Sequence, residues 1–178
     1  MSDQRTVIVG LSGGVDSSVA AALLQKEGFK VVGAFMKNWS DAKDPATGDC
    51  AWRKEREDAL RVASHLGIPF LTFDFEEEYR REVVEYMVRE YARGRTPNPD
   101  VMCNKAVKFG LFLERALAEG ADAIATGHYA RIGERGGKPT LLAGVDPNKD
   151  QSYFLHQMTQ AQLSRTLFPI GIYKKEEV

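Results

Sequence analysis

The chain is short of several things, and each shortage closes off a class of protein. It has two cysteines in 178 residues, Cys50 and Cys103. Two cannot build a disulfide framework, so a reducing, cytoplasmic compartment is expected. No apolar run approaches the roughly 18 residues that a membrane-spanning helix needs, so no membrane partner is expected. Thr6 to Val9 already reads as a strand, which leaves no stretch for a signal or transit peptide. The formal net charge is −1, so bulk electrostatics neither requires nor forbids nucleic acid. There is no internal repeat, no low-complexity tract and no Cys-x-x-Cys pair. The glycine-rich stretch near the start has neither the Walker spacing with its lysine nor the G-x-G-x-x-G of a dinucleotide fold.

What is present is a short apolar strand, a glycine turn and a helix. Thr6 to Val9 is β-branched and apolar. Gly10, Leu11, Ser12, Gly13, Gly14, Val15, Asp16, Ser17 and Ser18 follow, and Val19 to Leu24 reads as a helix ending near Gly28. Such a turn aims backbone N–H groups and a helix N-terminus at an anion. Without Cβ atoms at Gly13 and Gly14, a phosphate can approach the main chain. Ser12, Ser17 and Ser18 add hydroxyls. Asp16 makes sense beside phosphates if a divalent cation bridges them, because Mg²⁺ is held by one or two carboxylates plus phosphate oxygens.

The rest of the chain alternates. Lys30 to Met36 and Pro69 to Phe75 read as buried strands, and Asp122 to Thr126 as a fourth. Asn38 to Asp49 reads as a mobile loop. Ala51 to Leu66 is an amphipathic helix closed by Gly67. Glu76, Glu77 and Glu78 open another helix, with Val84, Met87, Val88 and Tyr91 as its buried stripe. A stiff loop with Pro97 and Pro99 precedes a helix that buries Phe109, Phe112, Leu113, Ala116 and Leu117. A hairpin is expected around Gly136 and Gly137, then a short apolar helix over Ser152 to Met158 and another over Ala161 to Leu167. The order implies an α/β fold: a parallel, doubly wound sheet covered on both faces, with a C-terminal hairpin and helical extension. Residues 1–145 are expected to form the catalytic domain. Residues 146–178 are expected to begin a linker to further C-terminal domains. Ligands on such sheets bind at the carboxyl ends of the strands. The glycine loop, Met36, the loop before Cys103, and Gly127 with His128 all fall there.

The run from Gly10 to Ser18 resembles the S-G-G-x-D-S motif of the PP-loop ATP pyrophosphatases, which adenylate a substrate and release pyrophosphate. Taken with Thr96–Lys105 (TPNPDVMCNK), Ala125–Tyr129 (ATGHY) and Asn148–Phe154 (NKDQSYF), the chain is similar to the tRNA-specific 2-thiouridylases over nearly its whole length. The resemblance implies ATP- and Mg²⁺-dependent conversion of the wobble uridine, position 34, to 2-thiouridine. The C2 oxygen is adenylated, pyrophosphate leaves, and sulfur displaces AMP. It implies ATP against Gly10–Ser17, Met36 and Gly127, the metal at Asp16, and the target base near Asn98, Pro99 and Asp100. Further tRNA contacts are implied at His128, Lys149, Asp150 and Gln151. Asp100 is implied as the acid–base group and Cys103 as the first catalytic cysteine. The partners implied are tRNA and a protein that donates persulfide sulfur.

The residues also speak for themselves. Cys103 follows a rigid loop near an expected helix start, close to Lys105 and Lys108, and both features lower a thiol pKa. Asp100 is placed to shuttle a proton. Arg89, Arg93, Arg95, Lys105 and Lys108 against Glu90 and Asp100 give a locally positive stretch that suits phosphate contacts. The family's second, persulfide-bearing cysteine would lie beyond Val178, and Cys50 is in the wrong place to be that residue. Cys50 reads as a buried thiol beside Trp52. Two other readings stay open on residues alone: another adenylating PP-loop synthetase, or an ATP- or AMP-binding module without chemistry. Asp16 and the Asp100–Cys103 pair argue against the second.

Overall fold

The structure is a computed structural model, and it describes residues 4–40 and 50–178. Most of the loop expected over Asn38 to Asp49 therefore lies outside the described residues. Four apolar stretches form strands where the sequence puts them: β1 (Thr6–Gly10), β2 (Lys30–Lys37), β3 (Phe70–Asp74) and β4 (Ala123–Ala125). Two helices join the first three strands, α1 (Val15–Lys26) and α2 (Ala51–Leu66). Long helical stretches over 76–92 and 99–118 lead to β4. A hairpin, β5 (Ala130–Arg135) and β6 (Lys138–Ala143), stands apart as a two-stranded sheet.

A fifth strand completes the main sheet. Thr166–Leu167, here β7, pairs in parallel with β4, Ile124 opposite Thr166 and Ala125 opposite Leu167. The helix expected over Ala161 to Leu167 is only Gln160–Leu163, opened by a Thr159–Gln162 capping box. The last residues leave the helix because Thr166 and Leu167 satisfy their backbone against β4 instead. The helix expected over Ser152 to Met158 is likewise one 3-10 turn, Ser152–Phe154.

The strand order is β3-β2-β1-β4-β7, with every neighbouring pair parallel. Alternation along β1 divides the core. Val7 and Val9 face α1 and α2, packing with Ala21, Leu24, Ala59 and Ala63. Ile8 faces the later helices, packing with Val83, Phe109, Phe112 and Ala116. Crossovers before β3 thus cover one face and those after it the other. The winding reverses beside β1, and the crevice at its carboxyl end is the ligand position of such sheets.

Both later helices contain wide, π-type turns, at Arg80–Val84 and Cys103–Leu111. The first shifts the buried face. Val83 is buried, while Val88 and Tyr91 of the expected stripe are 59% and 57% exposed. In the second helix Phe109, Phe112, Leu113 and Ala116 are buried as expected, and Leu117 is exposed.

Candidate functional site

The loop after β1 is built from its own hydroxyls. Ser12 N donates to Ser17 Oγ at 3.2 Å, and Ser17 Oγ donates to Gly14 O at 3.1 Å. Ser18 Oγ donates to the same carbonyl at 2.8 Å. Ser17 and Ser18 therefore hold the loop's shape rather than present free donors, which corrects the sequence expectation. Gly13 is also explained differently. It has φ +80°, and a Cβ there would meet Asp58 Cβ at 2.8 Å, so its bare α-carbon lets the loop lie against α2. Gly14 is the open one: a Cβ on it would meet only Ser12 Oγ, at 3.4 Å. Gly14 N-caps α1 with no side-chain cap bond, which leaves the first amides of that 12-residue helix for an anion.

Gly127, after β4, closes the crevice from the other side. A Cβ there would fall 2.6 Å from Ser17 N and 2.7 Å from the Asp16 carbonyl carbon. Only glycine permits the two backbones to approach this closely. A Cβ on Gly10 would come within 3.0 Å of Met36 Cε. Gly10–Ser17, Met36 and Gly127 are thus assembled at the carboxyl ends of the sheet's inner strands.

Asp16 sits at the mouth with its side chain 38% exposed. Tyr129 Oη donates to its Oδ1 at 2.9 Å, and Lys175 Nζ reaches the same oxygen at 2.5 Å. Burial, then the Asp16 carboxylate, holds the Tyr129 phenol above its ordinary value. The hydrogen bond to Asp16 raises the Lys175 ammonium. Sequence reading assigned neither residue a role. The one signal pointing to Lys175 is negative: the glycine loop has no lysine of its own.

The second motif starts the 99–118 helix. Asn98 accepts from Val101 N at 3.1 Å as N-cap, and Pro99 takes the first helical position. Asp100 is exposed in the first turn. Cys103 is the fifth helical residue, not the first, and is half-buried against the same core as Met36, Met102 and Tyr79. Burial pushes its thiol up, Asp100 adds to this, and Lys108 only partly opposes it. The thiol-lowering environment expected from sequence is outweighed: Cys103 lies a turn inside the helix and half-buried, and only the Lys108 charge lowers its thiol. Cys50 is half-buried at the N-cap of α2, not enclosed beside Trp52.

The implied tRNA contacts divide. Lys149 is exposed. Asp150 instead accepts from Gly144 N at 2.8 Å and from Ser152 N and Oγ at 3.1 and 2.8 Å. Its burial opposes ionisation, but these bonds outweigh it and keep the carboxyl below its ordinary value. Gln151 Oε1 accepts from Tyr129 N at 3.0 Å, and Gln151 N donates to Tyr129 O at 2.9 Å. Both side chains are committed within the fold, Asp150 to Gly144 and Ser152 and Gln151 to Tyr129. The His128 ring is buried against Phe109 and Phe168, at centroid distances of 5.7 and 6.1 Å, and is not presented to a ligand. The basic stretch is partly neutralised: Arg95 and Arg93 both pair with Glu90, and Arg89 with Glu85.

Among the described residues no cluster of three or more His, Cys, Asp or Glu could hold a metal. A single carboxylate beside an uncapped helix N-terminus that could take phosphates nevertheless fits Mg²⁺, which fills its shell with phosphate oxygens and water. Among the described residues no helix is long and apolar enough to cross a membrane.

Residues 5–178 match the family described as the tRNA methyl transferase HUP domain. Curated relatives include a tRNA-specific 2-thiouridylase MnmA of Flavobacterium johnsoniae, 56% identical over 98% of this chain and 45% of its own length. The protein of that name from Bacillus subtilis is 53% identical over 99% of this chain and 47% of its own length. The chain thus spans a little under half the length of these relatives. Among solved structures, one from Methanocaldococcus jannaschii, described as a predicted subunit of tRNA methyltransferase, superposes with a TM-score of 0.56 at 17% identity. It covers 97% of this chain and 71% of that one, and the likeness is one of fold.

Proposed function

Because the chain belongs to the family described as the tRNA methyl transferase HUP domain, with thiouridylases among its relatives at over half identity, we propose that it is the nucleotide-binding catalytic part of an ATP-dependent tRNA 2-thiouridylase. Its substrate is the wobble uridine, position 34, of tRNA, its sulfur comes from a persulfide-donor protein, and it works in the cytoplasm. Residues 1–145 carry most of the catalytic domain, and the segment 146–178, which supplies β7 and Lys175, completes it and leads toward further domains. The family's description speaks of methyl transfer. A glycine loop at a helix N-terminus with an adjacent carboxylate suits a polyphosphate better than an uncharged methyl donor.

The observation that carries the proposal is the convergence of Gly10–Ser17, Met36 and Gly127 at the switch point of the sheet. There the α1 amides and Gly14 take the phosphates, and Met36 and Gly127 flank the adenosine. Asp16 would hold Mg²⁺, which when bound neutralises phosphate charge and eases departure of pyrophosphate. Asn98, Pro99 and Asp100 receive the base, and Lys149 contacts the tRNA backbone. His128, Asp150 and Gln151 keep the neighbouring tRNA-facing turns in place. The uridine C2 oxygen attacks the α-phosphorus and pyrophosphate leaves. The terminal sulfur of the donor's persulfide then attacks C2 and AMP leaves. The Cys103 thiolate attacks the inner sulfur, so the S–S bond breaks and the outer sulfur stays on C2 as 2-thiouridine. Cys103 is left in a disulfide with the donor cysteine. Asp100 takes the proton from Cys103 Sγ, which the thiol must lose before it can act as a nucleophile.

The test is pyrophosphate release from ATP with tRNA carrying uridine at position 34, with the same tRNA carrying cytidine there, and without tRNA. Release that depends on the uridine is expected. Equal release in all three would overturn the proposal.

A further inference from the structure

The glycine loop carries no cation. From Gly10 to Ser18 there is no lysine or arginine, and the next basic residue is Lys26, at the far end of α1. A triphosphate has several negative charges, and helix amides offset only part of them. The fold brings a lysine to this place from the other end of the chain. Lys175 Nζ lies 2.5 Å from Asp16 Oδ1, across a separation of 159 residues.

The segment that delivers it is anchored at several points. Ile170 is fully buried with Ala20 and Tyr129. Val145 N donates to Gly171 O at 2.9 Å, and Lys175 N donates to the buried Asp146 at 3.0 Å. The Lys175 side chain, in contrast, is 41% exposed. A fixed backbone thus holds a partly exposed ammonium on Asp16 at the mouth of the glycine loop. An exposed ion pair of this kind contributes little to stability, so stability alone gives it little reason to be there. Asp16 also has a second partner in Tyr129.

We infer that Lys175 is the cationic ligand of the triphosphate that the loop itself lacks, held ready on Asp16 until the nucleotide arrives. Once a divalent cation engages Asp16, the ammonium turns to the phosphate oxygens beside it. It acts as a point charge with rotatable donors, as lysine does on phosphates elsewhere. This rests on the reading that the loop takes the phosphates of ATP.

The test compares the affinities of this chain for ATP and adenosine, with Mg²⁺ present, by calorimetry. Lys175→Met is expected to weaken ATP by about 10- to 100-fold, the range of a charge-assisted contact, and to leave adenosine unchanged. Lys175→Arg should recover part of the loss. Lys174→Met, which removes the same charge one residue away, should bind both ligands as wild type. Unchanged ATP affinity in Lys175→Met would overturn the inference. So would a parallel loss of adenosine, which marks a structural role, or an equal effect from Lys174→Met. Failure of the wild type to bind ATP would overturn the proposed function and this inference with it. ATP binding that ignores Lys175 would remove only the inference.

Discussion

Thr126 Oγ1 and His128 Nδ1 share a buried 2.7 Å hydrogen bond just after β4. The imidazole has Phe109 on one side and Phe168 on another, and the two phenyl rings also touch each other edge to face. Burial, with the nearby Lys108 charge, pushes His128 down to about 3.

This makes the fold acid-sensitive in a defined window. The unfolded chain protonates His128 below about pH 6.5, and the folded protein refuses that proton until about pH 3. The stability from this site is therefore complete above pH 6.5 and is lost as pH falls toward 3. The expected slope is about 1.4 kcal/mol per pH unit from this one group. Urea melts from pH 7 to 4 check it, and His128→Gln should flatten the slope.

Cys103 should be slow to alkylate at neutral pH. Its buried thiol is held above the ordinary value, so the thiolate is scarce. Iodoacetamide labelling, followed by mass spectrometry, is expected to keep rising about tenfold per pH unit past 9.0, the ordinary thiol value. Lys108→Met should slow it further, because that charge is what lowers the thiol. A plateau below pH 8 would contradict the burial argument.

Gly127→Ala should damage the loop from outside it. The new methyl would meet the backbone at Ser17 N and Asp16, which cannot step aside as a flexible side chain would. Overpacking of this kind costs about 1–3 kcal/mol. Thermal melts should show that loss, and ATP affinity should fall even though no phosphate contact has been removed.

Asp16→Asn separates charge from hydrogen bonding. The amide oxygen can still accept from Tyr129 Oη, so the melting temperature should move little. ATP binding in the wild type should tighten when Mg²⁺ is added, and in the variant this gain should vanish. Calorimetry with and without the metal decides it.

Much of this was written locally in the chain. The first four strands are contiguous apolar runs. Gly10–Ser17 and Gly127 could be placed at strand ends before any coordinates. The failures have physical causes. β7 is two residues long, follows a helix and precedes Pro169, so no period could reveal it. The wide turn at Arg80–Val84 breaks the 3.6-residue rule on which the Val88 and Tyr91 stripe depended. Cys103 read as activated because the helix start was set too late. His128, Asp150 and Gln151 read as ligand contacts because sequence does not show that a polar side chain is already spent inside the fold. Lys175 was invisible because its partner is at the opposite end of the chain.

The central place of β1 also sets an order of events in time. Its pairing with β2 closes a short loop, Ile8 to Val32, whereas its other edge waits for Ile124. Long closures of this kind are slow and come late. During synthesis the chain must emerge past Gly127 before β4 can dock and Gly127 can reach Ser17. The crevice beside β1, begun by the first strand, is therefore closed only after β2 and β3 have emerged.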